Sequence, residues 1–291
     1  METTELIKKV RKIEIKTRGL SKHIFSGEYH SAFKGRGMAF NEVREYQVGD
    51  DIRNIDWNVT ARYNSPYVKI FEEERELTVF LLVDISKSQF FGTSNQFKSE
   101  LITELCAVIT FSAILNNDKI GILFFSDKIE KFIPPKKGKG HALRIIRELI
   151  ELQSTGKGTD IAGALKYLNN VLKKRAIVFV LSDFLDDKFD EPLRIASRKH
   201  DTIAIQIFDK FEENLPDAGL IQFKDAETEE IKWLDTSNKK LRQNYLMWWD
   251  TKQKNLNSIF TRNRVDVIKI STDESYINPL QNFFKKRENR R

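Results

Sequence analysis

The chain has 291 residues, of which 40% are hydrophobic and 31% are charged, with 13 glycines and 6 prolines. This length and composition are typical of a globular protein with a sizeable core, and they exclude collagen-like and wholly disordered chains. The formal net charge is +7, and residues 285–291 alone carry +4 of it. A basic tail is either a solvated terminus or an electrostatic contact; we expect the former, and we expect no nucleic-acid binding.

Membrane-spanning, secreted and zinc-binding proteins do not fit this sequence. The longest nearly apolar runs, residues 78–85 and 106–115, are shorter than the roughly 18–20 residues of a membrane-spanning helix. Residues 1–5 lack the basic and apolar regions of a secretory signal. The single cysteine, Cys106, excludes an internal disulfide and, with four histidines, gives no paired spacing for structural zinc. We therefore expect a cytoplasmic protein without a membrane span.

The first 75 residues differ in pattern from the rest of the chain. Residues 1–18 predict a basic amphipathic helix, with Leu6, Val10 and Ile13 at helical spacing, and a polar stretch with several glycines follows. We expect residues 1–75 to form an N-terminal module of helix and β structure that packs on the main domain.

Residues 76–273 alternate short β-branched runs with longer helical patterns, which predicts βαβ units and a mostly parallel sheet. The predicted strands are residues 78–84, 119–125, 129–133, 176–182, 202–208 and 265–270. The predicted helices are residues 96–115, 141–152, 160–173, 191–199 and 239–260.

The fold class is therefore α/β: a doubly wound, mostly parallel sheet with helices on both faces. One strand should be an antiparallel edge, because residues 128–133 alternate polar and apolar side chains and follow their neighbour after a tight turn. We also expect an inserted β-hairpin at about 215–235. A helix and the basic tail should occupy residues 274–291.

Three polar segments lie at the ends of predicted elements. Asp84, Ser86 and Ser88 follow the first strand of the sheet, at the edge where open α/β sheets bind ligands. In an extended loop these alternate positions point to one side, so a carboxylate and two hydroxyls converge. Thr159 precedes a predicted helix, and Asp183 follows another predicted strand. Hard oxygen ligands of this kind suit Mg²⁺.

The pattern Asp-x-Ser-x-Ser after the first strand, Thr in Gly-Thr-Asp and Asp after Val-Leu-Ser resembles the metal-ion-dependent adhesion site of von Willebrand factor A domains. The resemblance implies that five residues hold Mg²⁺ or Mn²⁺, directly or through water: Asp84, Ser86, Ser88, Thr159 and Asp183. It also implies one open position for a partner's carboxylate. Asp160 matches no ligand position, and we interpret it as a helix cap.

A longer pattern lies upstream, with Phe33-Lys-Gly-Arg-Gly, Asn41-Glu-Val-Arg-Glu-Tyr and Val48-Gly-Asp-Asp-Ile-Arg. Together with the α/β pattern to about residue 210, it resembles a bacterial domain-of-unknown-function family commonly paired with MoxR-type AAA+ ATPases. One departure is Gln89, where related sequences often have Met. The charged residues of this segment form either an ion-pair network or a surface that a partner binds: Arg36, Arg44, Asp50, Asp51, Arg53, Asp56 and Arg62.

Enzymatic interpretations fit less well. Haloacid-dehalogenase-type phosphoryl transfer needs a second Asp two residues after the first, where this chain has Ser86. The segment 156–159 lacks the spacing of a phosphate-binding loop. We therefore predict a non-enzymatic, metal-dependent protein-interaction module that binds an acidic protein ligand. The family resemblance implies that it is an adaptor or chaperone-like partner of a MoxR-type AAA+ ATPase. A structural scaffold with an unoccupied metal site and a Mg-dependent phosphoryl-transfer enzyme stay open as alternatives.

Overall fold

A computed structural model describes residues 38–63, 65–73, 77–90, 97–152, 154–156, 158–224 and 231–289, together with residues 10, 11, 13, 14 and 17. The chain forms two compact units, Phe33–Glu76 and a larger one made of Met1–Ala32 and Leu77–Arg291.

This division differs from the module expected over residues 1–75. The described residues between 10 and 17 are helical, and Val10 and Ile13 pack against Ala107, Phe111 and Ile146 of the larger unit. The rest of the predicted helix 1–18 lies outside the described residues. The packing of the N-terminal module on the main domain stays a prediction.

The smaller unit is built on a two-stranded antiparallel sheet of β1 (Met38–Glu45) and β2 (Tyr67–Glu73). A 3₁₀ turn (Ile52–Asn54) and helix α1 (Trp57–Tyr63) connect the two strands. The unit thus contains both helix and β structure.

The larger unit is an α/β domain whose predicted strands and helices are all present, with bounds that differ by three residues at most. The elements of this unit, in chain order, are β3 (Thr78–Asp84), α2 (Lys98–Leu115), β4 (Lys119–Phe125), β5 (Ile129–Lys136), α3 (Lys139–Glu151), α4 (Ile161–Val171), β6 (Ile177–Ser182), α5 (Asp190–Lys199), β7 (Asp201–Phe208), α6 (Lys210–Glu213), β8 (Leu220–Lys224), β9 (Ile231–Asp235), α7 (Lys239–Arg262), β10 (Asp266–Ser271) and α8 (Ile277–Glu288). Helix α6 was not predicted.

The six-stranded sheet has the strand order β10-β7-β6-β3-β4-β5. Pairing is parallel from β10 to β4, and β5 runs antiparallel at the edge, as predicted. The chain leaves β3 towards β4 and later returns to the other side of β3 with β6. The carboxyl ends of β3 and β6 therefore lie where the strand order reverses, which is the point at which doubly wound sheets bind ligands.

Helices cover both faces of the sheet, which explains why its strands are nearly continuous apolar runs. All side chains of β6 are buried, as are all but the first of β3 and β4. Helices α4, α5 and α7 pack on one face, through Leu165, Leu193 and Phe260 among others. Helix α2 contacts β3, β4 and β7 and lies outside that cluster, so it covers the opposite face.

The predicted hairpin is formed by β8 and β9, which pair antiparallel. Its turn, residues 225–230, lies outside the described part of the chain. The C-terminal helix is α8, and residues 290 and 291 of the basic tail are not described. In the part of the chain that the structure describes, no helix is long and apolar enough to cross a membrane.

Candidate functional site

The site begins with two carboxylates at the ends of neighbouring strands. Asp84 is the last residue of β3, and Asp183 directly follows β6, which pairs with β3 from Val79↔Ile177 to Val83↔Leu181. Ser182 Oγ donates a 2.6 Å hydrogen bond to Asp84 Oδ2 and so ties the two strand ends together. The topology thus brings together two carboxylates that are 99 residues apart in the sequence.

Asp84 is fully buried but surrounded by hydrogen-bond donors. Its Oδ1 accepts the N–H of Ser86 at 2.9 Å. This is an Asx turn, in which an Asp side chain accepts the backbone N–H of the residue two positions later. Its Oδ2 also accepts from Gln89 Nε2 at 3.3 Å. Burial, and secondly the negative charge of Asp183, raise the pKa of Asp84 to about 7. The protein alone therefore compensates the charge of this carboxylate incompletely.

The two serine hydroxyls meet beside this carboxylate, at 3.0 Å between Ser86 Oγ and Ser88 Oγ. An extended loop was expected here, but residues 87–90 form a 3₁₀ turn. The turn curls the chain so that positions two apart still converge. Gln89 is also buried here, and its Oε1 has no hydrogen-bond partner among the described residues. The sequence marks Gln89 only as a departure from related sequences, whereas the structure places its amide Nε2 on Asp84.

Thr159 lies in a loop that contacts the same edge of the sheet. The N–H of Asp160 donates to Ser126 O at 2.7 Å, and Ser126 directly follows β4, whose last residue pairs with Asp84. The Asp160 carboxylate accepts the N–H of Gly163 at 2.8 Å. Asp160 is therefore the cap of α4, as predicted. The N–H of Ile161 donates to Asp186 Oδ2 at 3.0 Å, which joins this loop to the segment after Asp183.

Glu130, on the edge strand β5, shapes the chain just before Thr159. Its Oε1 accepts the backbone N–H of Thr155 at 3.0 Å and of Gly156 at 3.1 Å, and the hydroxyl of Ser126 at 2.8 Å. A Cβ at Gly156 would lie 2.8 Å from Ser126 Cβ, so a larger residue there would force the neighbouring chain to shift. Glu130 reads as an ordinary polar residue of an edge strand, and no sequence signal indicated this role.

Lys98 is the second residue that the sequence did not reveal. It is the first residue of α2, and its side chain is fully buried. Its Nζ lies 3.4 Å from Asp183 Oδ2 and forms a second ion pair with Glu212 Oε1 of α6. A lysine at the start of a helix is ordinarily exposed, so its burial follows only from the fold.

The charges and donors of this region fit a divalent cation. The three carboxylates of Asp84, Asp183 and Glu212, against the ammonium of Lys98, leave a charge of −2 when all are ionised. Serine and threonine hydroxyls and carboxylates are the hard oxygen donors that Mg²⁺ prefers. Among the described residues there is no cluster of three or more His, Cys, Asp or Glu side chains arranged around a metal position. The predicted set has another composition, two carboxylates with three hydroxyls.

The charged residues of the smaller unit that were considered for partner binding mostly pair within that unit. Arg44 makes two 2.8 Å hydrogen bonds to Asp50, and Arg53 Nη2 lies 2.8 Å from Asp51 Oδ2. Asp56 accepts N–H groups at the start of α1 and pairs with Lys69 at 3.3 Å. Arg62 is exposed at the end of α1, and Arg36 lies outside the described residues. A role of these residues in partner binding stays a prediction.

Solved structures of low sequence identity align with this chain over much of its length. The protein BatB from Bacteroides thetaiotaomicron aligns with 73% of this chain and 99% of its own chain, at a TM-score of 0.48 and 13% identity. An aerotolerance-related membrane protein from Bacteroides fragilis aligns with 74% of this chain and 100% of its own, at a TM-score of 0.49 and 15% identity.

Sequence relatives are found in bacteria. An uncharacterized protein of Mycobacterium tuberculosis is 30% identical over 231 residues, 78% of this chain and 73% of that protein. The uncharacterized protein YeaD of Bacillus subtilis is 30% identical over 107 residues, 37% of this chain and 25% of that protein. A family pattern matches residues 42–255, from β1 of the smaller unit to α7. The chain therefore belongs to the family described as Protein of unknown function DUF58.

Proposed function

We propose that this protein is a divalent-metal-dependent protein-interaction module in which a partner's carboxylate completes the metal shell. The observation that carries the proposal is the buried pair Asp84 and Asp183 at the strand-order reversal, with the hydroxyls of Ser86 and Ser88 beside it. A hard divalent cation stabilises a buried pair of carboxylates with hydroxyl donors beside it, and here the protein compensates the charge of Asp84 incompletely.

The five predicted ligands would contribute to ion binding in two ways. Asp84 and Asp183 supply the negative charge, and the hydroxyls of Ser86, Ser88 and Thr159 supply neutral oxygens. When bound, the ion offers an electrophilic position to an external carboxylate, because few anionic ligands reduce its charge. The protein's own contribution is to hold the donors in place before the ion arrives, through Ser182, Gln89 and the Asp160 loop.

The residues of this site suit the binding of a protein ligand better than they suit phosphoryl transfer. A general acid two residues after the first Asp would have to be a carboxylic acid, and here the residue is Ser86, which is buried and bonded to Ser88. A hydroxyl of ordinary pKa does not protonate a leaving group at neutral pH. The proposal therefore assigns no catalytic residue.

Exposed apolar side chains near the site support a protein as the partner. Phe211 on α6, and Met247 and Trp248 on α7, are 41%, 60% and 49% exposed. Tyr245 of α7 donates its hydroxyl to the backbone of Glu212 at 2.8 Å, so α7 and α6 are joined beside the Lys98 ion pairs. Large exposed apolar groups around a polar centre are typical of protein-binding surfaces.

The adaptor role beside a MoxR-type AAA+ ATPase rests on the family resemblance described above. We propose that such an ATPase from the same genome binds the chain, and that an acidic segment, of the ATPase or of its client, ligates the ion. A pull-down with the purified ATPase in Mg²⁺ and in EDTA tests this role.

The first experiment is a thermal melt of the wild type and Asp84→Asn in EDTA, Mg²⁺ and Mn²⁺. If the ion binds only the folded wild type, a free ion concentration of about 100 times the Kd adds about 2.7 kcal/mol to the free energy of unfolding. This corresponds to a rise of roughly 5–10 °C in Tm. Asp84→Asn should lose this shift, yet melt in EDTA at or above the wild type, because it removes a buried charge that the protein compensates poorly.

The matched control is Asp160→Asn, which removes a carboxylate at the same edge but keeps a good helix cap. It should respond to metal as the wild type does. Equal metal shifts in the wild type and Asp84→Asn would refute the assigned site, and no shift in the wild type at millimolar ion would favour a structural scaffold.

A further inference from the structure

Two features of the position of Lys98 disfavour a positive charge there. It is fully buried, and it begins α2, where the positive end of the helix dipole disfavours an ammonium group. A buried lysine is tolerated only when its charge is paired. A methionine or leucine would fill the same space without these costs, so the charge itself is what the position provides.

The two partners of Lys98 make different further contacts. Glu212 Oε2 accepts the N–H of Asp209 at 3.0 Å and completes the capping box of α6. Asp209 in turn accepts the hydroxyl of Thr272 at 2.7 Å, which anchors this corner to the end of β10. Asp183, at 3.4 Å from the ammonium, is also the carboxylate that the proposed ion requires.

We propose that Lys98 is an internal counter-cation of the metal site. Its ammonium neutralises Asp183 when no divalent ion is bound, and it stays with Glu212 when an ion takes Asp183. This inference rests on the proposed function, because it concerns the same site. A divalent ion held by Asp183 would share that carboxylate with the ammonium of Lys98, and two neighbouring cations repel each other. Lys98 therefore lowers the affinity of the site for divalent ions and keeps the ion-free form folded.

The test measures Mn²⁺ and Mg²⁺ binding to the full chain by titration calorimetry, and melting in EDTA, for Lys98→Met and Glu212→Gln. Lys98→Met should bind Mn²⁺ at least about tenfold more tightly and melt at a lower temperature in EDTA. Glu212→Gln should bind Mn²⁺ more weakly, because Lys98 then pairs with Asp183 alone.

The matched control is Arg287→Met, which breaks the ion pairs of Arg287 with Asp201 and Asp266 at the amino ends of β7 and β10. It should melt lower in EDTA without a change in metal affinity. A merely structural Lys98 predicts the same result for Lys98→Met as for this control. The counter-cation role predicts in addition that Lys98→Met and Glu212→Gln change the Mn²⁺ affinity in opposite directions.

The outcomes separate this inference from the proposed function. If the wild type binds Mn²⁺ and Lys98→Met binds it no more tightly, the counter-cation role is wrong and the metal site stands. If only Lys98→Met binds, Lys98 holds Asp183 permanently, so the counter-cation role is supported while the metal-dependent function of the wild type fails. If Lys98→Met is unfolded in EDTA, refolding by Mn²⁺ supports the inference, and an unaltered affinity in Glu212→Gln overturns it. If no folded variant binds, both proposals are wrong.

Discussion

Asp84 and His200 are both buried titratable residues, and they lie at opposite ends of the sheet. Asp84 ends β3, whereas His200 precedes β7. Burial, and then the nearby cations Lys199 and Arg175, lower the pKa of His200 to about 4. Neither ring nitrogen has a hydrogen-bond partner among the described residues, so burial favours the neutral ring.

Stability should depend on pH through His200. The unfolded chain takes up a proton at about pH 6.5, but the folded chain does so only at about pH 4. The unfolded state therefore binds more protons in this window, and stability falls as the pH drops from 6.5 to 4, by up to about 3 kcal/mol. Above pH 6.5 the contribution is constant.

Urea unfolding of the wild type and His200→Leu at pH 7.5 and pH 4.5 measures this effect. The loss of stability between the two pH values should be smaller in His200→Leu, because the leucine takes up no proton. Equal losses in both proteins would show that His200 is not the residue responsible.

At the scale of elements, the β8–β9 hairpin is the least buried part of the α/β unit that the structure describes. Leu220, Ile231 and Trp233 are 65%, 55% and 63% exposed. The chain enters and leaves the hairpin at one point, where the N–H and the hydroxyl of Thr236 both donate to Gly219 O at 2.7 Å. An exposed two-stranded hairpin adds little to the core.

Replacing residues 220–235 by a short Gly-Ser linker should therefore lower Tm by only a few degrees, because few buried contacts are lost and the chain ends already meet. Circular dichroism melts of the full chain and the shortened chain measure the change. Loss of cooperative unfolding in the shortened chain would mean that the hairpin belongs to the folding core.

At the scale of the whole molecule, the two compact units differ greatly in size. Phe33–Glu76 has a single two-stranded sheet, and among its residues with described side chains Val68 alone is buried. A unit this small buries too little apolar surface to offset the entropy of folding. The α/β unit, in contrast, has a six-stranded sheet with helices on both faces.

A peptide of residues 33–76 should therefore be unfolded in isolation. Far-UV circular dichroism of the peptide should show no cooperative thermal transition, whereas the full chain should show one. A cooperative transition in the peptide would show that the smaller unit is an independent domain.

The local features of this protein could be predicted from the sequence, because they depend on neighbouring residues. Strands β3 and β4 were predicted with their observed bounds, since buried parallel strands are short apolar runs. The cap at Asp160 follows from one residue and the helix after it. The general rule for parallel sheets then placed Asp84 and Asp183 at the same edge.

Contacts between distant segments were decided only by the tertiary structure. Lys98 meets Asp183 across 85 residues and Glu212 across 114 residues, and Ser182 meets Asp84 across 98. Nothing in the local sequence around Lys98 distinguishes it from an exposed lysine at a helix start. The reason is physical: charge and hydrogen-bonding type are properties of a residue, whereas burial and partners are set by how the helices pack on the sheet.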